Sequence, residues 1–220
     1  GIEKSVIVEH MDKVDFSKVL PFRFLAAAHA VPAWEDVIDA GLLRFRPERK
    51  LLGKTILILD VSGSMRESLS AKSDLDRIDA ACGIAIIARE MCAAAVIYAT
   101  AGNDATRVHA TSIVPTRRGM ALRDAIKTQE ANLGSGGIFL VQSMAYIFER
   151  EQSADTIIVF TDEQDCDHKL NPDTANAFGQ RNYICNIANY QNGIAYKKKW
   201  THIDGFSEAV LDYIAEVEQD

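Results

Sequence analysis

Thr55-Ile56-Leu57-Ile58-Leu59-Asp60-Val61-Ser62-Gly63-Ser64 sets the fold of this chain. Residues 55–59 are β-branched or aliphatic without polar alternation, the pattern of a strand buried on both faces. The strand delivers one carboxylate and two hydroxyls, with a glycine between the hydroxyls, onto the loop at its C-terminal end. Three hard oxygen donors in that position suit a small divalent cation such as Mg²⁺. The same Asp-x-Ser pattern also serves as a helix N-cap or turn, because both side chains bond backbone N–H groups.

Working outward, Thr156-Ile157-Ile158-Val159-Phe160 forms a second buried strand that ends at Thr161-Asp162. Residues 79–92, apolar nearly all round, predict a buried helix. Residues 94–100 and 106–111 predict two strands joined by Ala101-Gly102-Asn103-Asp104-Ala105, whose turn chemistry implies a hairpin. Helices are expected over 120–129, 138–149, 172–181 and 206–218, and further strands over 183–188 and 201–203. Strands interleaved with helices imply right-handed crossovers, hence an α/β, three-layer, doubly wound and mainly parallel sheet.

In such sheets ligands collect beyond the carboxyl ends of the strands. Three loops should meet there: 60–64, 134–138 and 162–167. Asp60, Ser62, Ser64 and the second strand-end acid, Asp162, are the candidate metal ligands, with Glu163, Asp165 and Asp167 nearby.

Residues 1–50 differ from the remainder and are expected to be a helical connector or docking segment ahead of a domain over 51–220. Helices are expected over 22–30 and 33–45, separated by Pro32, whereas Val6-Ile7-Val8 fits either a short strand or an extended arm. Gly1 in place of a methionine leads us to expect that the natural protein extends upstream, and the lack of an apolar h-region after Gly1-Ile2-Glu3-Lys4 leads us to expect no signal peptide within this stretch. A net charge of −7 argues against a nucleic-acid binder that relies on neutralising phosphates. Arg117-Arg118 and Lys197-Lys198-Lys199 read as solvated surface. Cys82, Cys92, Cys166 and Cys185 lack a C-x-x-C spacing and read as reduced thiols of a cytoplasmic protein. No apolar run is long enough to span a bilayer.

Enzyme patterns are absent. There is no P-loop, Gly134-x-Gly136 lacks the third glycine of a dinucleotide fingerprint, and Leu133-Gly134-Ser135-Gly136-Gly137 is off register for a nucleophile elbow. Phosphotransfer aspartates favour a second carboxylate at position 62, which is Ser. His10, His29, His109, His168 and His202 are not paired with a nucleophile by any motif. Asp165-Cys166-Asp167-His168 is too tight a run to wrap one ion. A metal-assisted hydrolase using the acids of 162–167 is the least favoured reading.

Asp60-x-Ser62-x-Ser64 after a buried strand, with Asp162 ending a later one, resembles the von Willebrand factor A (vWA) domain and its metal-ion-dependent adhesion site. Val19-Leu20-Pro21-Phe22-Arg23-Phe24, residues 33–45, Leu52-Gly53-Lys54-Thr55 and Val159-Phe160-Thr161-Asp162 are similar to the A domain of TROVE (Ro autoantigen-like) proteins. The resemblance implies a mostly parallel sheet with one antiparallel edge strand. It implies a non-enzymatic binding role, with Mg²⁺ (or Mn²⁺ or Ca²⁺) bridging to an acidic side chain of a protein partner. In that family a helical-repeat ring absent from this chain carries most contacts to small non-coding RNA. One departure stands out. The family's middle loop supplies a threonine after two glycines, whereas here the stretch is Gly136-Gly137-Ile138, which predicts weaker cation binding. A structural interaction domain with a degenerate metal site is the alternative.

Overall fold

The computed structural model describes residues 3–11, 13–16, 19–70, 73–167, 177–188, 199–207 and 209–218. Six strands form one sheet: β1 (Leu51–Asp60), β2 (Cys92–Asn103), β3 (Val108–Ile113), β4 (Ala154–Thr161), β5 (Gly179–Asn186) and β6 (Thr201–Asp204). Their spatial order is β3-β2-β1-β4-β5-β6. All neighbours pair in parallel except β2 with β3, whose antiparallel pairing gives the expected hairpin at one edge.

Residue alternation along the strands divides the core between the two faces. Leu57 and Leu59 of β1 and Ile158 and Phe160 of β4 face one side. There they meet α4 (Arg77–Met91), α5 (Gly119–Leu133) and α7 (Val210–Val217). Ile56, Ile58, Ile157 and Val159 face the other side and pack on α6 (Leu140–Glu151). Both faces of β1 and β4 are therefore dry, which is why these strands read as continuous apolar runs. Burial of this kind contributes about 25 cal/mol per Å² of apolar surface and dominates the stability of such a domain.

The head is helical. It comprises α1 (Lys4–Met11), α2 (Pro21–Ala30) and α3 (Glu35–Leu42). Val6, Ile7 and Val8 lie in α1, so neither the short strand nor the extended arm is found. The helix expected over 33–45 starts as a 3-10 turn at Pro32–Trp34, with Pro32 at the first position where no backbone donor is needed, and continues as α3 only to Leu42. Phe24, Leu25, Ala28, Leu42 and Phe45 join the same apolar core as α4 and α7, so the head is packed onto the sheet's helical layer. Asp39 fixes it further by accepting the Met120 N–H at 2.8 Å, the first turn of α5.

Two expectations near the C-terminal half need comment. Residues 179–181, placed in a helix by pattern, begin β5. Ala177 and Phe178 are irregular, and the remainder of that helix (172–176), His168, Lys197 and Lys198 lie outside the described residues. Arg118 is a surface group, held by a two-pronged ion pair to Glu90 at 2.7 and 2.8 Å.

Candidate metal centre

β1 and β4 are neighbours, with Leu59 opposite Phe160, so their last residues emerge side by side. Asp60 closes β1 and Asp162 follows β4, and both are fully buried. Just beyond Asp60 the chain makes a 3-10 turn over Gly63–Arg66. Met65 plugs into the core and leaves Ser62 and Ser64 on the cleft side, with their hydroxyl oxygens 3.2 Å apart. Gly63 is required by space rather than by φ, since a Cβ there would stand 2.6 Å from the Ser135 carbonyl. The middle loop therefore rests directly on the first one, as the three-loop expectation demands.

Each carboxylate has defined partners. Asp60 accepts from the Ser62 N–H at 2.9 Å and from the Thr161 hydroxyl at 2.6 Å. Burial pushes the Asp60 carboxyl up to about 7, the Asp162 charge adds to the rise, and the Thr161 and Ser62 hydrogen bonds oppose it. Asp162 accepts from the Gln164 N–H and side-chain amide, each at 3.2 Å. It also accepts from Arg77, whose Nη1 lies 2.9 Å from Oδ2. Arg77 is the first residue of α4, donates to the Ser64 carbonyl at 3.2 Å, and pairs with Glu67 at 2.8 Å.

Hydrogen bonds gather Asp60, Ser62, Ser64 and Asp162 at the joined ends of β1 and β4, directly or through Thr161 and Arg77, but the remaining loop acids turn elsewhere. Asp165 accepts the Leu140 N–H at 3.0 Å, and Asp167 accepts those of Val141 and Gln142 at 2.9 and 3.3 Å. These two carboxylates cap α6 from a distant loop, satisfying its free N-terminal donors. Glu163 adopts a left-handed backbone with φ 62° and turns its buried carboxylate to His202, with which it makes a short contact. Ile138 does not line the cleft. Its side chain is fully buried among Ile56, Ile58 and Met144, and its carbonyl accepts the Cys166 N–H at 2.7 Å.

Two carboxylates and two hydroxyls fit a hard cation in chemistry. Among the described residues no three His, Cys, Asp or Glu side chains gather closely enough to share an ion. A cation here would consequently depend on the serine hydroxyls, carbonyls and water. Pattern reading missed Arg77 and the Glu163–His202 pair. Asp76 is the N-cap of α4, and a cation directly after it is disfavoured at a helix N-terminus, but with the helix expected to begin at residue 79 that clue to Arg77 is lost.

Residues 54–187, more than half of the chain, match the Ro60 vWA domain family. No curated protein matches the chain. The crystal structure of the Deinococcus radiodurans Ro (RSR) protein is similar, with a TM-score of 0.57 and 18 % identity over 85 % of this chain. The chain spans only 38 % of the length of that protein. The BatB protein of Bacteroides thetaiotaomicron has a TM-score of 0.50 and 12 % identity, covering 76 % of this chain and 97 % of its own. At these identities the two structures establish the fold, a parallel sheet with one antiparallel edge flanked by helices. Taken with the match over residues 54–187, the chain belongs to the Ro60 vWA domain family.

Proposed function

We propose that this chain is the divalent-cation-dependent protein-interaction module of a Ro-like RNA-binding protein. The observation that carries the reading is the oxygen cluster itself: buried Asp60 and Asp162 at adjoining strand ends, with the paired hydroxyls of Ser62 and Ser64 on the loop after Asp60. When bound, Mg²⁺ or Mn²⁺ would supply an electrophilic position for an acidic side chain of a protein partner. Asp60, Ser62 and Ser64 are the residues that would hold it, and Asp162 would balance its charge. The role is binding, without a chemical step. Small non-coding RNA, and a part in RNA quality control, would come through a helical-repeat module outside this chain. The net charge of −7 agrees with a protein partner in preference to RNA at the domain itself. None of the described helices is long and apolar enough to cross a membrane. The four free cysteines support a cytoplasmic setting.

Calorimetric titration of Mn²⁺ into the protein and into Asp60→Ala tests the reading. Saturable binding at micromolar to millimolar concentration, lost in the variant, is expected. Equal heats from both proteins would defeat it.

A second reading, an interaction domain with a degenerate site, is favoured by Ile138 lying in the core and by the Arg77–Asp162 pair. It predicts partner capture that Asp60→Ala and metal chelation leave unchanged.

A further inference from the structure

We infer that Arg77 is the site's own resident cation, a tethered positive charge that competes with the divalent ion for Asp162. The inference rests on the cation-binding reading of the Asp60 loop and adds a residue that lies outside the ligand pattern.

Arg77 breaks a local rule. It opens the fifteen-residue helix α4, where the helix dipole and the unpaired N–H groups favour an anion. Asp76 and Asp79 already complete that terminus as a reciprocal capping box, so the helix does not need the arginine. The guanidinium is nevertheless drawn inward and almost fully buried, 2.9 Å from Asp162 Oδ2 and 3.2 Å from the Ser64 carbonyl. Both contacts belong to the loops that would surround an ion. Departures from local preference of this kind concentrate at functional sites.

Charge explains the placement. Asp60 and Asp162 are both fully buried and repel one another. A positive charge is needed nearby, because an uncompensated buried carboxylate is costly. Arg77 supplies one charge, but from the side, and it is shared with Glu67, whose side chain is 61 % exposed. Glu67 therefore gives the guanidinium a second seat nearer solvent. An ion held by Asp60, Ser62 and Ser64 would repel the guanidinium from Asp162 toward Glu67. Metal-free and metal-bound forms thus differ in which cation neutralises Asp162, and Arg77 sets how much divalent ion is needed to switch between them.

The test is Mn²⁺ binding followed by the electron paramagnetic resonance signal of the free ion, on the whole chain. Arg77→Gln removes the charge and keeps a donor for Asp162. Its Kd for Mn²⁺ should fall by about tenfold or more relative to the unaltered protein, a small part of the Coulomb repulsion between neighbouring cations at a partly screened site. Arg66→Gln removes a nearby charge that pairs with Glu130 instead of Asp162, and should change Kd by less than about twofold. Arg77→Met likewise removes the charge and keeps an apolar stem to fill the space of the arginine's own methylenes. It should also bind Mn²⁺ more tightly, and it carries the test if the glutamine variant does not fold.

Tighter binding in the Arg77 variants supports the inference, including the case in which only they bind, which would sink the cation-binding reading for the unaltered protein. Binding by the unaltered protein with equal or weaker binding by the Arg77 variants overturns the inference and leaves the cation site standing. Binding by none of the folded proteins overturns both.

Discussion

The Thr161 hydroxyl donates a 2.6 Å hydrogen bond to Asp60 Oδ2, joining the final residues of β1 and β4 at the floor of the cleft. Both residues are fully buried, so the bond is made in a low-dielectric setting and fixes the direction of the Asp60 carboxylate. Thr161→Val keeps the shape and removes the donor. Hydrogen bonds to charged groups are worth about 1.5–3 kcal/mol, and urea unfolding should report a loss of about 2 kcal/mol. Thr161→Ser should recover most of it. Equal stability of the valine variant and the unaltered protein would show that the bond carries no weight.

Ile138 gives a prediction that runs against the family pattern. Because its side chain is in the core, Ile138→Thr should not strengthen Mn²⁺ binding. It should instead lower stability by about 1–3 kcal/mol, through lost packing and a hydroxyl buried among hydrocarbons. Melting curves and a Mn²⁺ titration on the same sample decide the matter, and a gain in affinity would mean that position 138 faces the ion.

Asp167 is predicted to be structural. Asp167→Ala removes the acceptor for the Val141 and Gln142 N–H groups and should cost about 1–2 kcal/mol in chemical unfolding, as loss of a helix cap does. Mn²⁺ affinity should stay within about twofold of the unaltered value, since screening weakens a charge that is not a ligand. A large loss of affinity would place Asp167 in the site.

The thiols should differ sharply in reactivity. Cys82 and Cys185 are buried and burial drives both thiols far up, while burial pushes Cys92 up to about 11. Cys166 is also raised by burial, but it is partly exposed. Since the thiolate is the reactive form, alkylation at neutral pH should be slow and confined to Cys166 in the folded protein. Mass spectrometry should find one adduct under native conditions and four after denaturation. Early labelling of Cys82 or Cys185 would indicate that α4 or β5 opens easily.

The doubly wound sheet was legible because its central strands have no solvent face. Residues 55–59 and 156–160 could be recognised without knowing their neighbours, and the turn chemistry of 101–105 marked the edge hairpin, although residues 101–103 extend β2 and the turn itself falls at 104–107. Strand ends then located Asp60 and Asp162. The acids of 163–167 were less legible because sequence does not encode direction. A left-handed φ at Glu163 and a helix end awaiting caps send three of them away from the cleft. Val6-Ile7-Val8 misled for a related reason. β-branched residues favour strands, but among the described residues α1 buries none of its side chains and stands outside the six-stranded sheet. Arg77 was hidden because its partner Asp162 is 85 positions away, a distance only the fold closes.

A crystal structure grown with Mn²⁺, read by anomalous scattering, tests the central claim most directly. The account predicts one strong peak in the cleft, bounded by Asp60, Ser62 and Ser64 oxygens, with the Arg77 guanidinium displaced toward Glu67. A well-ordered cleft with no peak at millimolar Mn²⁺, or a peak coordinated by other residues, would contradict it.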